Sequence, residues 1–144
     1  WGVGNCLSQI VSVAGSVKLT GVMTAMRGVT FNSLKSVGGD FIVTGCNGNF
    51  WNFDVMKLET IGGSLVLSDN ARFNGLGGFE ALESVGGDLT VTGNGTSEGG
   101  IPVVSTSNKV GLDLLGKLYR DGVFADGAVF TIESGGVTYK IDEL

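Results

Sequence analysis

Apolar residues over the first two thirds of the chain recur in columns 24 positions apart. Take as origin the pairs Ala14-Gly15, Gly38-Gly39, Gly62-Gly63 and Gly86-Gly87. Leu7, Phe31, Val55 and Phe79 stand seven residues before them, and Ile10, Leu34, Leu58 and Leu82 four before. Val13, Val37, Ile61 and Val85 stand one before, Val17, Phe41, Leu65 and Leu89 three after, and Leu19, Val43, Leu67 and Val91 five after. The whole chain is 42% apolar, yet every one of these positions is apolar, which independent draws would give with a probability on the order of 10⁻⁸.

The pattern inside a unit predicts what it builds. Leu65-Val66-Leu67-Ser68 and its equivalents alternate with period two, the signature of a short strand with one face buried. The glycine pair ahead of the strand reads as a corner, where a missing Cβ permits both positive φ and close approach of neighbouring backbones. Ala14 replaces the first glycine in the first unit, so the expectation is a corner that needs positive φ at only one of its two positions. Upstream, Phe79-x-x-Leu82 and Leu82-x-x-Val85 keep a spacing of three, which suits a tight helical turn or an extended corner.

A unit this short cannot bury its own apolar residues and must stack on its neighbours, strand beside strand at about 4.8 Å. The expected fold is therefore a repeat solenoid, a short right-handed β-helix with a parallel sheet, in which residues 1–95 form four tiers. Phe50, Trp51, Phe53, Phe73 and Leu76, in the longer loop halves, are expected to add to its core. The repeat is expected to stop after Asn94, because the flanks of Val110-Gly111 do not match the earlier units. Residues 96–107 read as a loop and 108–144 as a cap whose helix or hairpin covers the last tier. In that cap Val110, Leu114, Leu115 and Leu118 share a helical face, with Asn108 as N-cap and Gly122 as the stop. Val129–Glu133 and Val137–Ile141 then flank Ser134-Gly135-Gly136 as a hairpin.

Composition narrows the chemistry. A chain of 144 residues carries one core, and 26 glycines against one proline fit many tight turns better than low complexity. The net charge of −5, with Lys and Arg scattered singly, makes nucleic acid an unfavourable partner. Histidine is absent, which removes the commonest general acid or base and the commonest transition-metal ligand. No apolar run approaches the length of a membrane span. The chain opens on Trp1 inside what reads as a repeat, so the expectation is a secreted or cell-surface segment whose signal, and possible further domains, lie upstream.

Individual residues offer few chemical sites. Cys46 occupies the column of Asn70 and Asn94, where an inward Asn can satisfy backbone groups of the turn and a buried Cys can substitute for it. Cys6 lies in another column and could meet Cys46 only if the N-terminal segment folded across. Asn94-Gly95-Thr96 matches a glycosylation acceptor, although a ladder role for Asn94 accounts for it equally. The terminal Ile-Asp-Glu-Leu lacks the basic first residue of a retention signal. Asp40 and Asp88 share a column two tiers apart, about 10 Å, a separation barely permissive for a glycosidase pair. No basic or tyrosine side chain completes such a site, so corner-forming Asp is the preferred reading. No Asp-rich loop suggests calcium, and neither a metal nor a cofactor is expected.

The outward strand positions are the main binding candidates. Lys18, Ile42, Val66 and Thr90 form one column, and Thr20, Thr44, Ser68 and Thr92 the next. An uncovered face of this kind, weakly polar around Ile42 and Val66, could bind a protein or a glycan. A neighbouring segment could equally cover it. Trp51 is a further candidate, since sugar rings stack on indole, with core packing as the plainer role.

Leu65-x-Leu67-x-x-Asn70, Leu89-x-Val91-x-x-Asn94 and Phe41-x-Val43-x-x-Cys46 resemble the leucine-rich-repeat core. The Leu-x-x-Val/Ile-Gly-Gly-x-Leu opening is similar to receptor L domains and to repeats of bacterial cell-surface proteins. The resemblance covers residues 7–94 and hardly extends over 95–144, and Val22 departs from it in the Asn/Cys slot. It implies a horseshoe or β-helical solenoid acting as an extracellular binding or adhesion module without catalysis. The runner-up readings are a carbohydrate-active enzyme on a β-helix and a structural spacer within a larger surface protein.

Overall fold

A computed structural model describes residues 7–21, 29–46, 53–71, 76, 78–95 and 109–144. These form a mostly β fold of parallel and mixed sheets with one α-helix. The first unit contributes β1 (Ser12–Val13) and β2 (Val17–Thr20), followed by β3 (Val29–Thr30). The second contributes β4 (Ser36–Val37) and β5 (Phe41–Thr44), followed by β6 (Phe53–Asp54). The third adds β7 (Thr60–Ile61) and β8 (Leu65–Ser68), the fourth β9 (Ser84–Val85) and β10 (Leu89–Thr92). Helix α1 (Lys109–Arg120), β11 (Phe130–Ser134), β12 (Val137–Tyr139) and a 3-10 turn over Ile141–Glu143 complete the chain.

Every pairing among β1 to β10 is parallel and joins residues 24 apart, as in Val17↔Phe41, Phe41↔Leu65 and Leu65↔Leu89. The sequence period is thus the sheet register. Three sheets result: β1-β4-β7-β9, β3-β6, and the six-stranded β12-β11-β10-β8-β5-β2. The Leu-x-x-Val segments, for which a helical turn and an extended corner were both open, end in the extended pairs β1, β4, β7 and β9. Their apolar columns point inward: Phe31, Leu34, Val37, Phe41 and Val43 are all buried, with Phe41 set edge-on between Phe31 and Phe79 at centroid distances of 6.3 and 6.0 Å. Of the expected loop-half contributors, Leu76 is buried. Phe50, Trp51 and Phe73 lie outside the described residues, as does the Phe53 side chain.

The glycine pairs do something other than supply positive φ. None of Gly38, Gly39, Gly62, Gly63, Gly86 and Gly87 has it. A Cβ on Gly62 would instead stand 3.0 Å from the Gly38 carbonyl carbon and nearer still to its oxygen, and Gly86 meets Gly62 in the same way. The glycines are required because each corner sits directly on the corner before it. Ala14 fits this reason, since it begins the column and Gly38 is the residue that must be bare above it. Positive φ falls in a different column, Gly21, Gly45, Asp69 and Gly93, at the turn that closes each long strand. Asp69 is the one non-glycine there among the described residues, and Asp tolerates this conformation better than most side chains.

Beyond Asn94 the strand pairing continues although the repeat does not. β11 pairs in parallel with β10, Leu89↔Phe130 through Val91↔Ile132, and Phe124 bridges Val85. A fifth tier pairs on the fourth, but a helix lies between the two in sequence and so breaks the 24-residue period. The helix and hairpin expected from the sequence are present. α1 buries Leu114, Leu115 and Leu118. It ends at Gly122 (φ 72), with Gly122 N–H donating to Tyr119 and Val123 N–H to Leu118, the two bonds of a Schellman cap. Its other end, the Asn108 cap, is outside the described residues. The hairpin turns through Gly135 (φ 59) and Gly136 (φ 77), as a two-residue type I′ loop demands. Its second strand is shorter than expected, because Ile141 enters the 3-10 turn. Phe130 packs edge-on against Tyr119 and Phe124, and Ile132 is buried in the same core as the four units.

Candidate functional site

Two ladders of side chains tie the units together and leave the outward strand face as the principal unassigned surface. The first follows the glycine pairs. Asp40 N–H donates to Ser16 Oγ at 2.9 Å, Ser64 N–H to Asp40 Oδ1 at 2.8 Å, Asp88 N–H to Ser64 Oγ at 3.0 Å, and Val129 N–H to Asp88 Oδ1 at 2.9 Å. Asp40 and Asp88 each commit an oxygen to a corner N–H, the structural role preferred from the sequence. Ser64 stands between them in the ladder.

The second ladder is buried. Cys46 N–H donates to Asn70 Oδ1 at 3.1 Å, while Asn70 Nδ2 donates to Val43 O at 3.0 Å and to Asn94 Oδ1 at 2.9 Å. Asn70 N–H also reaches Asn94 Oδ1, at 3.2 Å, and Asn94 Nδ2 donates to Leu67 O at 2.7 Å. Each amide thereby satisfies backbone groups of the preceding unit where the chain leaves its strand. Cys46 fills the same slot as a free, buried thiol, its sulfur 3.7 Å from Thr44 O. Cys6 lies outside the described residues. The acceptor nitrogen of the Asn94-Gly95-Thr96 motif is engaged and buried.

The binding candidates fall where alternation placed them. Lys18, Ile42, Val66 and Thr90 lie side by side in adjacent strands, as do Thr20, Thr44, Ser68 and Thr92. Lys18 and Thr20 are exposed, and Ile42, Thr44, Val66, Ser68, Thr90 and Thr92 are half-buried by one another. Ser68 Oγ donates to Thr44 at 2.9 Å, so the hydroxyl column is internally bonded. Trp51 lies outside the described residues. Sequence reasoning missed the extension of both columns onto β11, where exposed Thr131 pairs with Thr90 and exposed Glu133 lies two residues further on. Their signal is the alternation Phe130-Thr131-Ile132-Glu133-Ser134 in the first strand of the hairpin.

The small sheet carries a further feature missed from the sequence. An open trough of about 580 Å³ crosses β1, β4, β7 and β9, with the outward hydroxyls of Ser12, Ser36, Thr60 and Ser84 along it and the bare Gly38 and Gly62 corners at its side. No group of three or more His, Cys, Asp and Glu suited to a metal occurs among the described residues. No described helix is long and apolar enough to cross a membrane. Lys140 has its pKa raised by a hydrogen bond from its ammonium to Glu143, at the exposed C-terminal turn. No protein-family model, no curated protein and no solved structure matches this chain.

Proposed function

We propose that this chain is a non-enzymatic binding or adhesion module of a cell-surface or secreted protein, which engages a protein or glycan through the outward face of its six-stranded sheet. Its architecture is read as a short right-handed β-solenoid of the leucine-rich-repeat and receptor L domain type, closed at one end by the helix and hairpin. The 24-residue parallel register and the inward Asn ladder support that reading.

The observation that carries the binding role is the face itself. Ile42 and Val66 are paired in adjacent strands and half-exposed, between Lys18 and Thr90, with hydroxyl side chains alongside. A flat apolar centre with a polar surround is the composition of a recognition surface. Asp40 and Asp88, the candidates of the enzyme alternative, each accept a corner N–H, which supports a structural role for them.

The test is a glycan array and a cell-surface-protein array probed with the purified chain and with the double substitution Ile42→Lys, Val66→Lys. Both residues point out of the stack, so the variant is expected to melt as the parent does. Hits should disappear from the variant's array. Binding that survives the double substitution would remove the strand face from consideration.

A further inference from the structure

The buried amide ladder has an irregular last step. Asn70 sends its own N–H and one Nδ2 hydrogen to the same oxygen, Asn94 Oδ1. In the fifth tier Ile132 pairs with Val91, so the residue matching Asn94, three further along, is Gly135, which has no side-chain oxygen. The N–H and the second Nδ2 hydrogen of Asn94 therefore face a tier that offers them no amide acceptor. Beside this point stands Ser134, 5% exposed, whose Oγ is buried without a hydrogen-bond partner. An unpaired buried hydroxyl is costly, and this one lines a cavity of about 330 Å³ together with Asn94, Glu133 and the backbones of Gly93, Gly95 and Gly135. A Cβ at Gly135 would touch nothing within 4 Å, so the cavity side of the hairpin turn is open.

We propose that this cavity is a binding site for a neutral polyhydroxyl ligand, one sugar unit, with a ligand hydroxyl at the end of the amide ladder. A hydroxyl oxygen can accept from Asn94 N–H and Nδ2 as Asn94 Oδ1 accepts from Asn70, while its own hydrogen is donated to Ser134 Oγ. A carboxylate or phosphate ligand would supply the acceptor but would enter a chain of net charge −5. The four glycines that line the cavity, Gly93, Gly95, Gly135 and Gly136, leave room for a ring. The site is separate from the strand face, because Ser134 and Asn94 point inward where Ile42 and Val66 point out.

The experiment is an NMR titration of the full chain with the methyl glycosides of glucose, galactose, mannose and N-acetylglucosamine, with sodium acetate as the anionic probe. At least one glycoside is expected to shift the Asn94 side-chain amide and the Gly95 and Gly135 backbone amides saturably, with millimolar affinity. Ser134→Ala should weaken that binding at least about fivefold, the effect of one lost hydrogen bond. The same variant should leave the melting temperature unchanged or raised, because the hydroxyl it removes has no partner in the fold. Ile42→Lys with Val66→Lys should leave the titration unaltered. Several results would overturn the proposal: no saturable shift with any glycoside, acetate matching the sugars, or an affinity indifferent to Ser134→Ala.

Discussion

Gly15 and Gly62 stand in adjacent columns of the repeat, each in a corner pair, yet substitution should separate them. A methyl group on Gly62 enters the carbonyl of Gly38, whereas one on Gly15 meets nothing within 4 Å and sits at ordinary φ. Gly62→Ala is expected to cost at least about 1–3 kcal/mol through forced backbone displacement. Gly15→Ala should be neutral or stabilising by up to about 1 kcal/mol, because it restricts the unfolded chain. Urea midpoints of the two variants decide this, and equal losses would show that the glycines serve backbone freedom after all. Asn70 is the second decisive residue. Asn70→Ala leaves Cys46 N–H and Val43 O without their buried partner and vacates the donor to Asn94. A loss of about 2–4 kcal/mol is expected, the sum of more than one orphaned buried group, and Asn70→Asp, which keeps an acceptor but no Nδ2 donor, should recover only part of it.

At the scale of elements, the corner ladder works by accepting one N–H per unit, and the acceptor alternates Ser, Asp, Ser, Asp. The charge of Asp40 is therefore incidental to its structural role. Asp40→Ser is expected to stay within about 1 kcal/mol of the parent, while Asp40→Ala should cost about 1–2 kcal/mol by orphaning Ser64 N–H. Thermal unfolding of the pair tests it, and equal destabilisation by both would point to a role for the charge. The helix stop is as specific. Gly122 holds φ 72 in the Schellman cap that docks Val123 on Leu118, so Gly122→Ala should lower stability by about 1 kcal/mol without altering the helix content seen by circular dichroism.

For the whole molecule, the last repeat strand β10 is covered on its open side by β11, and the core runs from Phe31 to Ile132 without interruption. A chain ending at residue 107 would expose the edge of β10 and the buried side chains Val85, Leu89 and Val91. It is expected to bind a hydrophobic dye, to self-associate on size exclusion, and to lose the cooperative melting of the full chain. A cooperative monomeric fragment would instead mean that the four units are stable without the helix and hairpin.

Much of this was written in one dimension. Residue 17 pairs with 41 because each strand repeats the apolar columns of the last, and a sheet with one buried face admits no other register. Period alone therefore determined the parallel stacking, the inward Asn column, the outward binding candidates and, through Gly122 and Gly135-Gly136, the helix stop and the hairpin. Three things were decided only in space. Glycine is demanded by positive φ in one column and by contact with the unit beneath in another, and both look alike in sequence. The fifth strand carries the right alternation at the wrong interval, because a helix can fill the distance between two tiers that strands and turns fill elsewhere. The end of the amide ladder, where Asn94 meets a tier bearing Ser134 and Gly135, exists only through that break in period, since a repeating sequence would have placed another Asn there.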